Sequence, residues 1–201
     1  MYENAPQHQF SVLSEAEIPD FMRRDMLAWL VGRREFKKLQ IHQTGLNDYY
    51  YNCVFTDVEI IYINGHCHGF RLTANFDSPY AHGRATTISL SAGEHRVKLE
   101  NRSDIIDSYT YPVVQFTGGG IDIVNITDDE QRHFTFSGLS STEIVTVDNE
   151  TKHISSTMGG EKLSNFTSKK WLRLRRGYNT LAVVAKGDAT ITCPHYAMVG
   201  F

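Results

Sequence analysis

Little in this chain of 201 residues is specialised for chemistry. It has three cysteines, Cys53, Cys67 and Cys193, and their wide spacing and odd number argue against a disulfide framework and for reduced thiols. No apolar run approaches the roughly eighteen residues that cross a bilayer. The opening MYENAPQHQF has neither the basic start nor the apolar core of a secretory signal. The Asn-x-Ser/Thr sequons at Asn101, Asn125, Asn149 and Asn165 therefore meet no advertised secretory route. A net charge of −3 gives no general attraction to nucleic acid or to an anionic membrane. There is no Gly-x-Ser-x-Gly elbow, no cysteine in a nucleophile's setting, no motif for a hydrolytic carboxylate pair, no internal repeat and no low-complexity stretch. What remains is an ordinary globular composition, 41% apolar and 21% charged. The length suits one large or two small domains, and such a chain buries roughly 70% of the surface its unfolded form exposes.

One segment predicts a helix, Pro19 to Val31. Pro19 suits the first turn, Asp20 and Asp25 oppose the macrodipole, and Gly32 suits the position past the end. Met22, Met26, Trp29 and Leu30 recur at helical spacing as one apolar stripe. Everything else reads as strands: Phe36–His42, Tyr49–Phe55, then Glu59–Ile63 and Gly69–Phe76 flanking the hairpin pair Asn64-Gly65, then Ala85–Leu90 after the stop at Asp77-Ser78-Pro79. From Gly93 onward turn signals arrive every eight to twelve residues, between strand candidates running from His95–Glu100 to Ala189–Cys193 and including Trp171–Arg175. That rhythm predicts an antiparallel β-sandwich. The expected organisation is mainly β with one helix: a small α+β domain over residues 1–92 and a sandwich over 93–201, with the seam around 91–112.

Several clusters carry a chemical reading beside a plainer one. His66 and His68 share one face of a strand, so with His82 or His95 they have the makings of a zinc site. The plainer reading is a hairpin flank with polar groups outside and Cys67 inside. Asp128-Asp129-Glu130 offers hard oxygen ligands for calcium, but lacks the spacing of a calcium loop and reads as a solvated turn. Gly118-Gly119-Gly120 is followed by the strand-like Ile121-Asp122-Ile123 and not by a helix, so it is a turn and not a phosphate cradle. Neither a cofactor nor a metal is expected. In the aromatic strand, Tyr49, Tyr51 and Cys53 share a face and Tyr50 takes the other, where it can meet a neighbouring subunit.

The most informative stretch is Lys169 to Thr180, KKWLRLRRGYNT. Its alternation sends Leu172 and Leu174 to the core and puts Trp171, Arg173 and Arg175 on the opposite face, free for a partner. A basic, aromatic strand also invites a nucleic-acid reading, which the slightly acidic chain disfavours, and an acidic protein partner fits better. Near a C-terminus this Trp-Leu-Arg-Leu and Gly-x-Asn pattern resembles the distal tail proteins of long-tailed phages. The segments IPDFMRRDMLAWLVGRREFKKLQI, DYYYNCVF, GFRLTANFDSPYAHG, YPVVQFTGGGIDIVNIT, FTFSGL and TVDNETKHI are similar to successive elements of that family, in order, from about residue 18 to the end. The resemblance implies a structural protein and not an enzyme: a homo-oligomeric, typically hexameric ring at the virion's tail tip, assembled in the host cytoplasm. Its implied partners are the tail tube protein, the tail-associated fibre or lysin and receptor-binding proteins, with neither nucleic acid nor membrane bound. It further implies that the second domain is galectin-like, and Tyr50, Trp171, Arg173 and Arg175 are the expected assembly contacts. Family members carry several strands before the helix, where about 17 residues stand here, so the first strands are expected to be lacking. The alternative is a carbohydrate-binding sandwich that stacks a sugar on Trp171 beside Arg173 or Asn179.

Overall fold

Asn64 and Gly65 set the register of the first sheet. In the computed structural model, which describes residues 6–32 and 34–199, both take left-handed backbone angles (φ 51° and 85°), the geometry of a two-residue hairpin turn whose twist matches that of its strands. They join β3 (Tyr51–Ile63) to β4 (His66–Phe76), and β1 (Gln7–Leu13) and β2 (Lys37–Leu39) complete a four-stranded sheet in the order β1-β4-β3-β2. The two strands expected on either side of Thr56-Asp57 are one. The register passes from Phe55 opposite Ala74 to Asp57 opposite Thr73, so Thr56 is the extra residue of a bulge and the polar pair interrupts nothing. A strand does precede the helix: β1 pairs antiparallel with β4 along its whole length.

Helix α1 (Asp20–Val31) starts after Pro19, pairs Arg23 with Asp20 at 3.0 Å in its first turn, and closes where the Gly32 N–H donates to the Ala28 carbonyl. Its apolar stripe is split. Met26, Leu27 and Leu30 pack on a core cluster of Cys67, Phe70 and Leu72, whereas Met22 and Trp29 stand one flank over and stay exposed, Trp29 by 67%. A second cluster of Tyr51, Cys53, Ala74, Phe76 and Ala81 fills the rest of this unit, and Tyr51 donates its hydroxyl to the Val199 carbonyl at 2.9 Å.

The remaining strands are β5 (Ala81–Leu90), β6 (Gly93–Asn101), β7 (Val113–Thr117), β8 (Gly120–Asn125), β9 (His133–Ser137), β10 (Ile144–Asp148), β11 (His153–Ser156), β12 (Gly177–Ala185) and β13 (Ala189–Ala197). They form a five-stranded sheet, β11-β10-β7-β13-β5, and a four-stranded sheet, β6-β12-β8-β9. Alternate residues of both sheets meet in one core: Val114, Phe116, Val145, Val147 and Ile191 from the first, Leu99, Ile123, Phe134, Phe136, Leu181 and Val183 from the second. This is the sandwich expected from the turn rhythm. The Gly118–Gly120 turn is obligatory, because a Cβ on Gly120 (φ 143°) would come within 2.3 Å of the Phe136 carbonyl oxygen.

Two compact units result, residues 82–197 and residues 1–81 with 198–201. The division lies ahead of the expected seam because β5 hydrogen-bonds beside β13 and so belongs to the sandwich. The sandwich is thus inserted, in sequence, into the first unit.

Candidate assembly surfaces

The stretch Trp171 to Arg175 is not a strand. It crosses an end of the sandwich in extended form and makes a single ladder-type bridge, Leu174 opposite Thr110. A backbone without a neighbouring strand must satisfy its polar groups some other way when it is buried. Here four buried asparagines do it. Asn149 accepts from the Leu172 N–H at 2.8 Å, Asn125 donates to the Arg173 carbonyl at 3.0 Å, and Asn101 donates to the Arg175 carbonyl at 3.1 Å. Asn179, 0% exposed, accepts from the Arg175 N–H at 3.0 Å and donates to the Arg175 and Gly177 carbonyls at 2.8 and 3.1 Å. Asn125 and Asn179 also bond each other at 3.1 Å. Asn101, Asn125 and Asn149 belong to three of the four sequons, and their amide nitrogens are committed to the interior. Their visible sign in sequence is position: Asn101 and Asn125 close strands and Asn149 directly follows one.

The side chains alternate as expected for the leucines only. Leu172 and Leu174 are core residues. Trp171, half-buried, caps an aromatic stack in which its ring lies 4.9 Å from Phe166 and Phe166 lies 4.7 Å from Phe136. The Arg173 side chain is 10% exposed and not free for a partner. Its guanidinium donates through Nε and Nη2 to both oxygens of Asp128 at 2.9 Å, and through Nη2 to Glu130 at 3.0 Å. The Tyr109 ring lies beneath it, 3.9 Å from centroid to Cζ. Arg132 completes the cluster on Glu130 at 2.7 and 2.9 Å. The acidic partner anticipated for this basic stretch is therefore met within the chain by its own turn, Asp128-Asp129-Glu130, in which Asp128 is buried against Arg173 while Asp129 and Glu130 remain exposed to water as the solvated-turn reading expects. Hydrogen bonding by Arg173 holds the Asp128 carboxyl below its usual range, and Arg132, with Arg173 behind it, holds Glu130 at about 2. Reciprocally, Asp128 raises Arg173 and Asp129 raises Arg175. Arg175 is the more exposed member; it binds Asp129 and flanks Tyr109. Since Arg173 and Asn179 are interior, the arrangement proposed for a sugar beside Trp171 is not presented at the surface.

Tyr50 lies just before β3, half-buried, with Lys38 Nζ 4.2 Å above its ring. At the hairpin, His66 Nδ1 pairs with Glu17 at 2.9 Å, His68 Nδ1 lies 3.3 Å from the Ser14 carbonyl, and Cys67 points inward. Among the described residues no three His, Cys, Asp or Glu side chains converge as metal ligands. The three cysteines are buried, and burial pushes the thiols of Cys53 and Cys193 up to about 11 and about 12. Apolar side chains whose exposure the sequence does not signal stand on the first unit: Leu13, Tyr62 and Ile63 at the hairpin end, and Phe21 along α1 with Met22 and Trp29 of the expected apolar stripe. Trp29 borders a cleft of about 300 Å³ with Leu30, Leu39, Val54 and Phe55.

The chain is β-rich, buries the Asp128–Arg173 pair while the other members of that charged cluster stay at the surface, and leaves apolar side chains exposed on its α+β unit. The comparisons give the class: residues 79–193 match the family of phage tail C-terminal domains and residues 1–78 that of phage tail protein N-terminal domains. The chain belongs to this phage tail protein family. Its fold is similar to that of the SPP1 Dit protein, described as a paradigm of the hub adsorption apparatus in phages infecting Gram-positive hosts. That match has a TM-score of 0.68 at 14% identity and covers 96% of this chain and 78% of that one. A chain of the phage p2 baseplate in its activated, calcium-containing conformation matches with a TM-score of 0.54 at 11% identity, over 97% and 80% of the two chains. No curated protein sequence matches.

Proposed function

We propose that this phage tail protein is a distal tail hub: a closed homo-oligomeric ring, hexameric by the family resemblance, that joins the tail tube to the fibre and receptor-binding apparatus at the virion's tail tip. It is made and assembled in the host cytoplasm and turns over no substrate. The observation that carries this reading is the likeness of both halves of the chain, in order, to a hub protein and a baseplate component at the level of fold. The sandwich, galectin-like in this reading, is the platform for outer partners, with Tyr50 in the first unit and Trp171 and Arg175 in the sandwich as contact positions. Arg173 acts beneath that surface by fixing the segment.

Ring formation has a physical requirement, a head-to-tail interface whose rotation closes. Native mass spectrometry of the purified chain over a range of concentrations tests it, together with immunogold labelling of virions. The expected result is a six-subunit species and gold at the tail tip. Gold elsewhere on the particle, or a dimer as the largest species at every concentration, would refute the hub.

A further inference from the structure

The first unit carries two exposed apolar surfaces at opposite ends of β3. At the hairpin end, Leu13 is 66% and Ile63 50% exposed, and Tyr62, exposed as well, takes the opposite face of β3, where its hydroxyl accepts from Arg23 of α1 at 3.5 Å. The Leu13 side chain lies over Gly69, where a Cβ would meet it at 3.1 Å, so the patch is set by the β1–β4 register and not by a loop. The segment Ser14–Ile18 runs alongside, tied by the Ser14 and Ile18 N–H groups to the His68 and Cys67 carbonyls, and it places exposed Glu15 and Glu17 on the rim. At the other end is the cleft of about 300 Å³ between the last turn of α1 and the start of β3, walled by Trp29, Leu30, Leu39, Val54 and Phe55. Its rim is basic: Lys37 and Lys38 border the cleft and Arg34 is exposed beside them, against the single acid Glu35. From Phe55 to Ile63 the strand rises roughly 25 Å.

A self-complementary twofold contact needs one patch, whereas a head-to-tail contact needs two that differ and match. These two differ in shape, a protruding tip against a cleft, and in rim charge, acidic against basic. We propose that the occupant of the cleft is the hairpin end of a second copy of this chain: Ile63 and Leu13 of one copy enter beside Trp29 of the next, with Glu15 and Glu17 facing Lys37 and Lys38. Apolar burial supplies the affinity and the opposed rims fix the orientation. This assignment rests on the ring reading and names the surfaces that would make the ring.

The test uses the full chain. Ile63→Asp spoils the tip and Trp29→Asp spoils the cleft rim, both at exposed positions. Each variant alone is expected to self-associate about tenfold or more weakly in mass photometry, with an unchanged circular dichroism spectrum. Mixed in equal amounts, the variants retain one good tip and one good cleft between them, so a 1:1 heterodimer that grows no further is expected. A third variant, Ile63→Cys with Lys38→Cys, is expected to give a ladder of disulfide-linked multimers under mild oxidation, because the two sites in one copy lie too far apart to bridge each other. Unaltered assembly of both aspartate variants would overturn the surface assignment while leaving the ring intact. Only monomer after oxidation would overturn it as well, whatever the affinity in solution. A ladder from a chain that never closes into rings would keep the contact and refute the ring.

Discussion

Arg173 and Asp128 show how a residue can carry a functional signal in sequence and do structural work. The guanidinium is bidentate on a carboxylate that is 2% exposed, so neither charge can be left without the other. Replacing Asp128 by Ala strands a buried cation that Glu130 holds only in part, and is expected to cost about 3 kcal/mol, near the low end for breaking a buried ion pair. Urea unfolding at neutral pH measures it. The same cluster sets an acid response. Asp128 and Glu130 have folded-state pKa values below those of the unfolded chain, so the stabilisation is fully present above the ordinary carboxylate range, roughly pH 4, and is lost as the pH falls through the folded values. For Glu130 that value is about 2. The urea midpoint of the natural chain is expected to fall steeply from roughly pH 4 downward, and that of Asp128→Ala to fall less over the same range. Parallel curves would show that the cluster does not govern acid sensitivity.

At the scale of elements, the segment from Trp171 to Arg175 is held by side-chain amides where a strand would use a ladder. Asn179→Ala leaves the half-buried Arg175 N–H without its acceptor and removes one of the two bonds the Asn125 amide donates, the one to Arg173 remaining, and is expected to cost roughly 2 to 4 kcal/mol. Hydrogen exchange checks this, since local loss of protection at Arg175 is expected to exceed that in β12. The alternation WLRLRRG read as a strand because period-2 patterning reports which residues face the core and says nothing about what bonds the backbone. Leu172 and Leu174 were legible for that reason and the asparagine frame was not. The same limit applies to β3. Thr56-Asp57 looks like punctuation in sequence, and only pairing with β4 reveals a bulge within one continuous strand. Hairpin chemistry was more explicit, because Asn64-Gly65 encodes backbone angles directly. The helix was legible in its ends but not in its facing, since Met22 and Trp29 lie too far round for the sheet to cover them. The Asp128–Arg173 pairing joins residues 45 positions apart, and local pattern holds no information about it.

For the whole molecule, the decisive feature is the insertion of residues 82–197 between the two parts of the first unit. The chain enters and leaves the sandwich at neighbouring points: the rings of His82 and Tyr196 lie 5.5 Å apart. The first unit has its own two core clusters and its own hairpin. A chain in which Ala81 is joined to Met198 by a short Gly-Ser linker is therefore expected to keep the four-stranded sheet, seen as dispersed amide resonances in a proton–nitrogen spectrum; a collapsed spectrum would refute that independence. The same layout bears on how such tails diversify. Two joints side by side form a cassette boundary, because a different domain whose own ends lie equally close could replace residues 82–197 without moving the strands that flank them. The sheet, α1 and the residues around the cleft pass through the exchange unchanged. The sandwich can then be reworked while the four-stranded unit keeps its own two core clusters and its own surfaces.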